Sequence, residues 1–183
     1  MLPCYFSVDV ETAGPYPGRY PLLSIGACLV HDPGITFYAE LRPERDEADP
    51  DALAVSGLSL ERLAVDGEDP GEAVRRFAAW VDEVTPPGLS PVLVAFNAPF
   101  DWMFVADALH RHAGRNPFGH SALDLKALSM GADRVPWEAT TFPLVASRHG
   151  LEGGLPHNAL ADARLQAELA RRILAAIDPG DPT

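Results

Sequence analysis

The sequence predicts an α/β protein: a mixed β-sheet covered by helices. Three observations predict it. Three strand-like runs open the chain, strands then alternate with helical stretches, and no repeat or linker divides the 183 residues. Residues 3–10 read as the first strand, 22–31 and 35–42 as the next two. The Asp32-Pro33-Gly34 turn makes those two a hairpin. Residues 43–50 are charged and proline-bounded, hence a loop, and 51–64 hold short helical turns around Ser56-Gly57. Asp69-Pro70 opens a helix that runs to Val84, where Pro86-Pro87-Gly88 stops it. Val92 to Phe96 is a short buried strand, Phe100 to His112 a helix, and Leu123 to Leu125 a strand end. Trp137 to His149 reads as helical, with Pro143 marking a start or a kink. Gly150 to Pro156 is a glycine-rich loop, and Asn158 to Ile177 the last helix. Residues 1–177 are expected to form one domain, with 178–183 a flexible tail.

Composition narrows the function classes. The chain is 47% hydrophobic, and no segment approaches the ~18 uninterrupted apolar residues of a membrane span. No basic stretch precedes the first apolar run, so the start does not read as a secretion signal. Cys4 and Cys28 lie in apolar runs and read as buried free thiols, and a cytoplasmic setting follows. The net charge of −12 argues against a protein that coats long duplexes, because phosphate contacts dominate such binding. It leaves room for nucleic acid handled at one end, in a cleft where bound cations reverse the local sign. Lys126 is the only lysine among the 14 basic residues.

Three short acidic signatures carry the chemistry. In a strand, residues i and i+2 share a face, so Phe6, Val8 and Val10 point one way, and Ser7, Asp9 and Glu11 the other. Two carboxylates roughly 6–7 Å apart repel by about 2–3 kcal/mol at an effective dielectric near 20. A cation between them would remove that cost; two solvated acids at a strand end are the alternative. Asp101 falls in the first turn of a helix, where the dipole favours an acid. Val105, Ala108 and Leu109 follow at helical spacing, which turns Asp101 inward. Asp162 aligns with Leu165, Leu169 and Ile173 on a stripe that must face the core. An acid there must pair with an arginine or bind a metal. His157 stands five residues earlier, at the mouth of the same helix; its neutral-range pKa suits it to take a proton from water.

Over "FSVDVET", "NAPFDWMF" and "HNALADA" the chain resembles the DEDDh family of 3′–5′ exonucleases. The resemblance implies a ribonuclease H-like fold: a five-stranded mixed sheet whose first three strands are antiparallel. It implies that Asp9, Glu11, Asp101 and Asp162 hold two divalent ions and that His157 is the general base. Asn97 and Phe100 fit the second motif as shaping residues, and Asp124 matches an acid with a structural role. Oxygen-only ligands select Mg²⁺ or Mn²⁺ over zinc.

The expected partners are 3′ ends of short single-stranded RNA or DNA, with RNA placed slightly ahead, and no membrane; a homodimer is compatible with the sequence. The loop from Thr12 to Tyr20 is expected beside the terminal nucleotide. Tyr16 and Tyr20 could stack on a base or simply pack a proline-rich loop. Trp102 and Phe142 are weaker aromatic candidates, and Arg148 and Arg164 could touch phosphate. Two rival readings stand. A haloacid-dehalogenase-type phosphatase also places an acidic pair after a first strand, but it has no use for His157 and Asp162. A non-catalytic binding module could keep the same fold.

Overall fold

The computed structural model describes residues 2–177. Leu2–Thr12 forms β1, Leu22–Leu29 β2 and Thr36–Glu40 β3. Helices α1 (Pro50–Ser56), α2 (Leu60–Asp66) and α3 (Pro70–Val84) follow, then β4 (Leu89–Ala95) and α4 (Ala98–Ala108). The second half holds β5 (Ala122–Asp124), α5 (Leu125–Asp133), α6 (Phe142–Arg148) and α7 (Ala159–Ile177). The five strands form one sheet in the order β3-β2-β1-β4-β5. β1 and β3 run antiparallel to β2, while β4 and β5 run parallel to β1 and to each other. This is the mixed sheet with three antiparallel leading strands that the resemblance implies.

The two faces of the sheet bury different cores. Phe6, Val8 and Val10 pack with Phe77 and Val81 of α3 and with Phe104 and Val105 of α4. On the opposite face Cys28 and Val94 pack against Val145 of α6 and Ala163, Ala167 and Ile173 of α7. The period-2 reading of the first strand therefore holds: its apolar side faces α3 and α4, and Asp9 and Glu11 share the α7 side. Cys4 and Cys28 are free and buried.

Helix starts follow local chemistry. Asp69 caps α3 by accepting the Glu72 N–H at 3.0 Å, with Pro70 in the first turn, where a missing donor costs nothing. Asp49 and Ser59 cap α1 and α2 in the same way.

Four expectations need revision. Residues 125–133 form α5, which the sequence reading omits; Asp124 ends β5 and caps α5 at once, so no turn separates them. The helical stretch expected over 137–149 divides into a 3₁₀ turn at Trp137–Ala139 and α6, and of the two roles open to Pro143 it takes that of a helix start, in the first turn of α6. The helix expected from Phe100 begins at Ala98 and ends in a π-type turn, Leu109–Ala113. β4 extends back to Leu89 through Pro91; β5 pairs only with Leu93–Ala95, so Pro91 lies where β4 is an edge and a missing N–H breaks no ladder. The expected tail, 178–183, lies outside the described residues. No described helix is long and apolar enough to cross a membrane.

Candidate active site at the end of the first strand

The pairing of β1 with β4 ends at Ser7 and Val94, so Asp9, Val10 and Glu11 project past the end of β4. The start of α4 fills this gap. Asp101, 4% exposed, accepts the Val10 N–H on Oδ1 at 3.1 Å. Asp124 fixes the approach: its Oδ1 accepts the N–H groups of Asn97 (3.0 Å), Ala98 (3.2 Å) and Lys126 (3.2 Å). The residue read as structural is thus the pin that ties α4 to the ends of β4 and β5. Asn97 takes a left-handed backbone, φ 66°, to make the turn.

Helix α7 delivers the remaining acid. Gly26 of β2 stands opposite Asp9, and a Cβ built on it would lie 2.1 Å from the Ala159 carbonyl carbon. Only glycine lets the start of α7 rest directly on the sheet. Farther along, the Cys28 thiol contacts the Ala163 carbonyl at 3.6 Å, and Ala163, Ala167 and Ala170 are fully buried. This close seam brings Asp162, 2% exposed, over the strand end. One oxygen each from Asp9, Glu11 and Asp162 lies within 4.8 Å of the other two. Gln166, one turn on and 1% exposed, donates to Asp9 Oδ1 at 2.6 Å and accepts the Phe96 N–H at 2.8 Å. It locks Asp9 to the end of β4, and it is absent from the sequence reading. Its signal was available: a polar side chain one turn after Asp162 on the same buried face.

The electrostatics are those of crowded acids. Burial first, then the charges of Asp101, Glu11 and Asp162, hold the Asp9 carboxyl well above its ordinary range. Burial and Asp162 lift Glu11 to about 7. Burial pushes Asp101 up to about 8 despite its hydrogen bond from Val10. Asp162 is raised by burial, with His157 pulling the other way. Its Oδ1 is buried with no hydrogen-bond partner. A buried, unpartnered carboxylate oxygen facing two more carboxylates fits a hard divalent cation, which would satisfy all three at once.

A pH dependence follows for the metal-free protein. These acids keep protons that the unfolded chain releases near pH 4. A folded state that binds more protons than the unfolded one loses stability as pH rises. Their contribution is complete below about pH 4 and is lost as pH climbs through about 7 at Glu11 and about 8 at Asp101. Melting in chelator should therefore fall between pH 5 and pH 8, and added Mg²⁺ or Mn²⁺ should raise it more at the higher pH. A flat or rising profile in chelator would mean that the acids are solvated and uncoupled.

The structure brings Asp9, Glu11 and Asp162 together and sets Asp101 beside them. His157 is exposed, at φ 55°, in the loop before α7. The substrate candidates scatter more. Thr12 is buried, and its hydroxyl donates to the Gly14 carbonyl at 2.9 Å. Tyr16 is exposed and meets Tyr20 edge-on at 5.4 Å, with the Arg19 guanidinium over Tyr20. Phe100 packs against Phe104 at 5.5 Å, a shaping role. The Arg148 guanidinium is fully engaged by Asp133 (3.0 Å), the Ala139 carbonyl (2.8 Å) and Ser129 (3.1 Å). These bonds tie α6 to α5 and to the turn between them. Arg164 is exposed, and its nearest partner is the Pro33 carbonyl at 3.4 Å.

Comparison with known proteins places this geometry. Residues 4–174 match the family described as the 3′-5′ exoribonuclease Rv2179c-like domain. An Escherichia coli protein named 3′-5′ DNA exonuclease Cap18 is 44% identical over 169 residues, spanning 92% of this chain and 90% of that one. The nuclease domain of 3′hExo, a DEDDh member solved with rAMP, superposes with a TM-score of 0.75 at 16% identity, over 93% of this chain and 90% of that chain. A zinc-bound complex of E. coli exonuclease I with single-stranded DNA gives 0.72 at 18% identity, over 98% of this chain but only 42% of that one. The family match and the 44% identical relative define the class, a 3′–5′ exonuclease, and the fold is shared with a solved DEDDh nuclease. The chain belongs to the Rv2179c-like 3′-5′ exoribonuclease domain family. Membership of this family removes the phosphatase reading.

Proposed function

We propose that this enzyme releases mononucleotides one at a time from the 3′ ends of short single strands, with Mg²⁺ or Mn²⁺ as its cofactor. The observation that carries the proposal is the meeting of carboxylate oxygens of Asp9, Glu11 and Asp162 within 4.8 Å of one another, with Asp162 Oδ1 buried and unpartnered. These three and Asp101 would hold two divalent ions. Such ions neutralise the anionic phosphodiester and stabilise the attacking and leaving oxygens of an in-line displacement. The protein positions this chemistry. Gln166 orients Asp9, the Val10 N–H orients Asp101, and the seat of α7 on Gly26 sets Asp162. The attack adds water oxygen to phosphorus, breaks the bond to the 3′ oxygen of the penultimate nucleotide and leaves a 5′-mononucleotide.

His157 accepts the proton that water gives up. Its loop carries Gly153 at φ 104° and Gly154, a hinge that can carry the imidazole over the site once substrate is present. His157→Ala should lose roughly 10²–10⁴ in rate, the usual share of a general base. Mn²⁺ binding should change little. A His157→Ala enzyme with wild-type turnover would remove the residue from the reaction.

We place DNA ahead of RNA as the substrate. The relative that aligns along nearly the whole chain at 44% identity is named for DNA, while the broader family description names RNA. Matched DNA and RNA oligomers, labelled at either terminus and incubated with Mg²⁺ or Mn²⁺, test both parts. A 3′ label should leave at once as a mononucleotide, and a 5′ label should give a descending ladder. No release under either metal would sink the proposal.

A further inference from the structure

Resting on that reading, we infer that Trp137 and Lys126 form a second contact for the substrate strand: a platform on which a base upstream of the cleaved bond stacks. Trp137 is 53% exposed, although it sits on a firmly held turn. The buried Thr140 holds the Trp137 carbonyl twice, from its hydroxyl at 2.6 Å and its N–H at 3.0 Å. Arg148 holds the carbonyl of Ala139 in the same turn and is itself fixed by Asp133 and Ser129. An exposed indole on so rigid a support loses little freedom on binding. Lys126, the chain's single lysine, sets its ammonium 4.1 Å from the indole centroid. It lies over one ring face of an indole that stays half exposed, so a base could stack there with the ammonium at hand for a phosphate.

The platform adjoins the active site by two routes. The Lys126 N–H shares Asp124 Oδ1 with Asn97 and Ala98, one turn before Asp101. The Trp137 turn leads into Phe142, whose ring meets Phe96 edge-on at 5.1 Å, and the Phe96 N–H is bound by the Gln166 that holds Asp9. The partner chemistry follows from the pair. Lysine is depleted at protein–protein interfaces, whereas a cation beside an open aromatic face is the usual cradle of single-stranded nucleic acid. In a protein of net charge −12, Lys126 supplies a positive charge for a phosphate.

The test compares two substrates. On a single strand of about ten nucleotides, Trp137→Ala should raise KM roughly 5- to 100-fold, the range of one base–aromatic stack, with kcat kept. On the p-nitrophenyl ester of thymidine 5′-phosphate, which has no upstream base, it should match wild type. Trp137→Phe should recover most of the KM, and Lys126→Gln should flatten its salt dependence. Affinity for a phosphorothioate-ended strand with Ca²⁺ should fall in parallel. Wild-type KM for Trp137→Ala on the long strand would overturn the inference, as would an equal loss on the nitrophenyl ester. A change of oligomeric state with unchanged KM would assign the patch to protein contact instead. A wild-type enzyme that cleaves neither substrate would remove the exonuclease proposal and this one with it, whereas normal wild-type cleavage isolates the platform.

Discussion

Asp162→Asn is expected to abolish nucleotide release, by at least about 10²–10³-fold, while leaving the protein folded and at least as stable in chelator. Both halves come from the same geometry. Asp162 sits within 4.8 Å of Asp9 and Glu11, and burial raises the pKa of all three. Without metal the pocket is self-repelling, and replacing a carboxylate by an isosteric amide removes one source of that repulsion. Under the proposed mechanism the same change would delete an anionic ligand and weaken the hold on the cations that the scissile phosphate needs. Melting in chelator, melting with Mn²⁺, and release of a 3′ label together separate these effects. The variant should gain much less from Mn²⁺ than wild type does. Turnover near wild type, or a collapsed fold, would show that Asp162 serves structure and not the metal centre.

Gly26→Ala should be the most damaging small substitution away from the acids. The added methyl would meet the Ala159 carbonyl carbon at 2.1 Å, the Leu160 nitrogen at 2.2 Å and the Ala159 oxygen at 2.4 Å. All three are backbone atoms, so no rotamer change relieves the clash, and truncating Ala159 would not help. Overpacking commonly costs about 1–3 kcal/mol, and the cost here should lie at the top of that range or above. The start of α7 must lift, which carries Asp162 away from Asp9 and Glu11, so the folded fraction should also lose activity. Gly131→Ala supplies the control: nothing lies within 4 Å of its Cβ, and alanine favours α5 by about 0.5–1 kcal/mol. Denaturant midpoints and specific activity measured on both variants test the argument. A Gly26→Ala enzyme with wild-type midpoint and rate would mean that α7 is not seated on the sheet.

Much of the site could be read before the structure because its acids lie on regular elements. The alternation in β1 placed Asp9 and Glu11 on one side, and the stripe of α7 turned Asp162 inward. What escaped was set by contacts between distant segments. Gln166 bonds Asp9 and Phe96, 157 and 70 residues away in the chain. Gly26 was legible as a glycine inside a strand, which marks close backbone approach, but no pattern named the helix that approaches. The stripe of α7 was also misjudged in detail. Leu169 and Ile173 are buried as the stripe predicts, but Leu165 is only half-buried, and Ala163, Ala167 and Ala170 carry much of the seam. Arg148 read as a phosphate ligand because nothing local announces partners at 129, 133 and 139. Helix α5 was missed because one acid ends a strand and begins a helix without an intervening turn.

The order in which the chain leaves the ribosome gives the seating of α7 a further meaning. Asp9 and Glu11 are made early, Asp101 midway, and Asp162 on a helix that also supplies Ala163, Ala167, Leu169, Ala170 and Ile173 to the core on its side of the sheet. A nascent or truncated polypeptide without that helix leaves much of that core open and lacks Asp162 of the acidic cluster. Under the proposed mechanism nucleic-acid cleavage is thereby tied to the completion of folding, and fragments that lack α7 should not cut the strands around them.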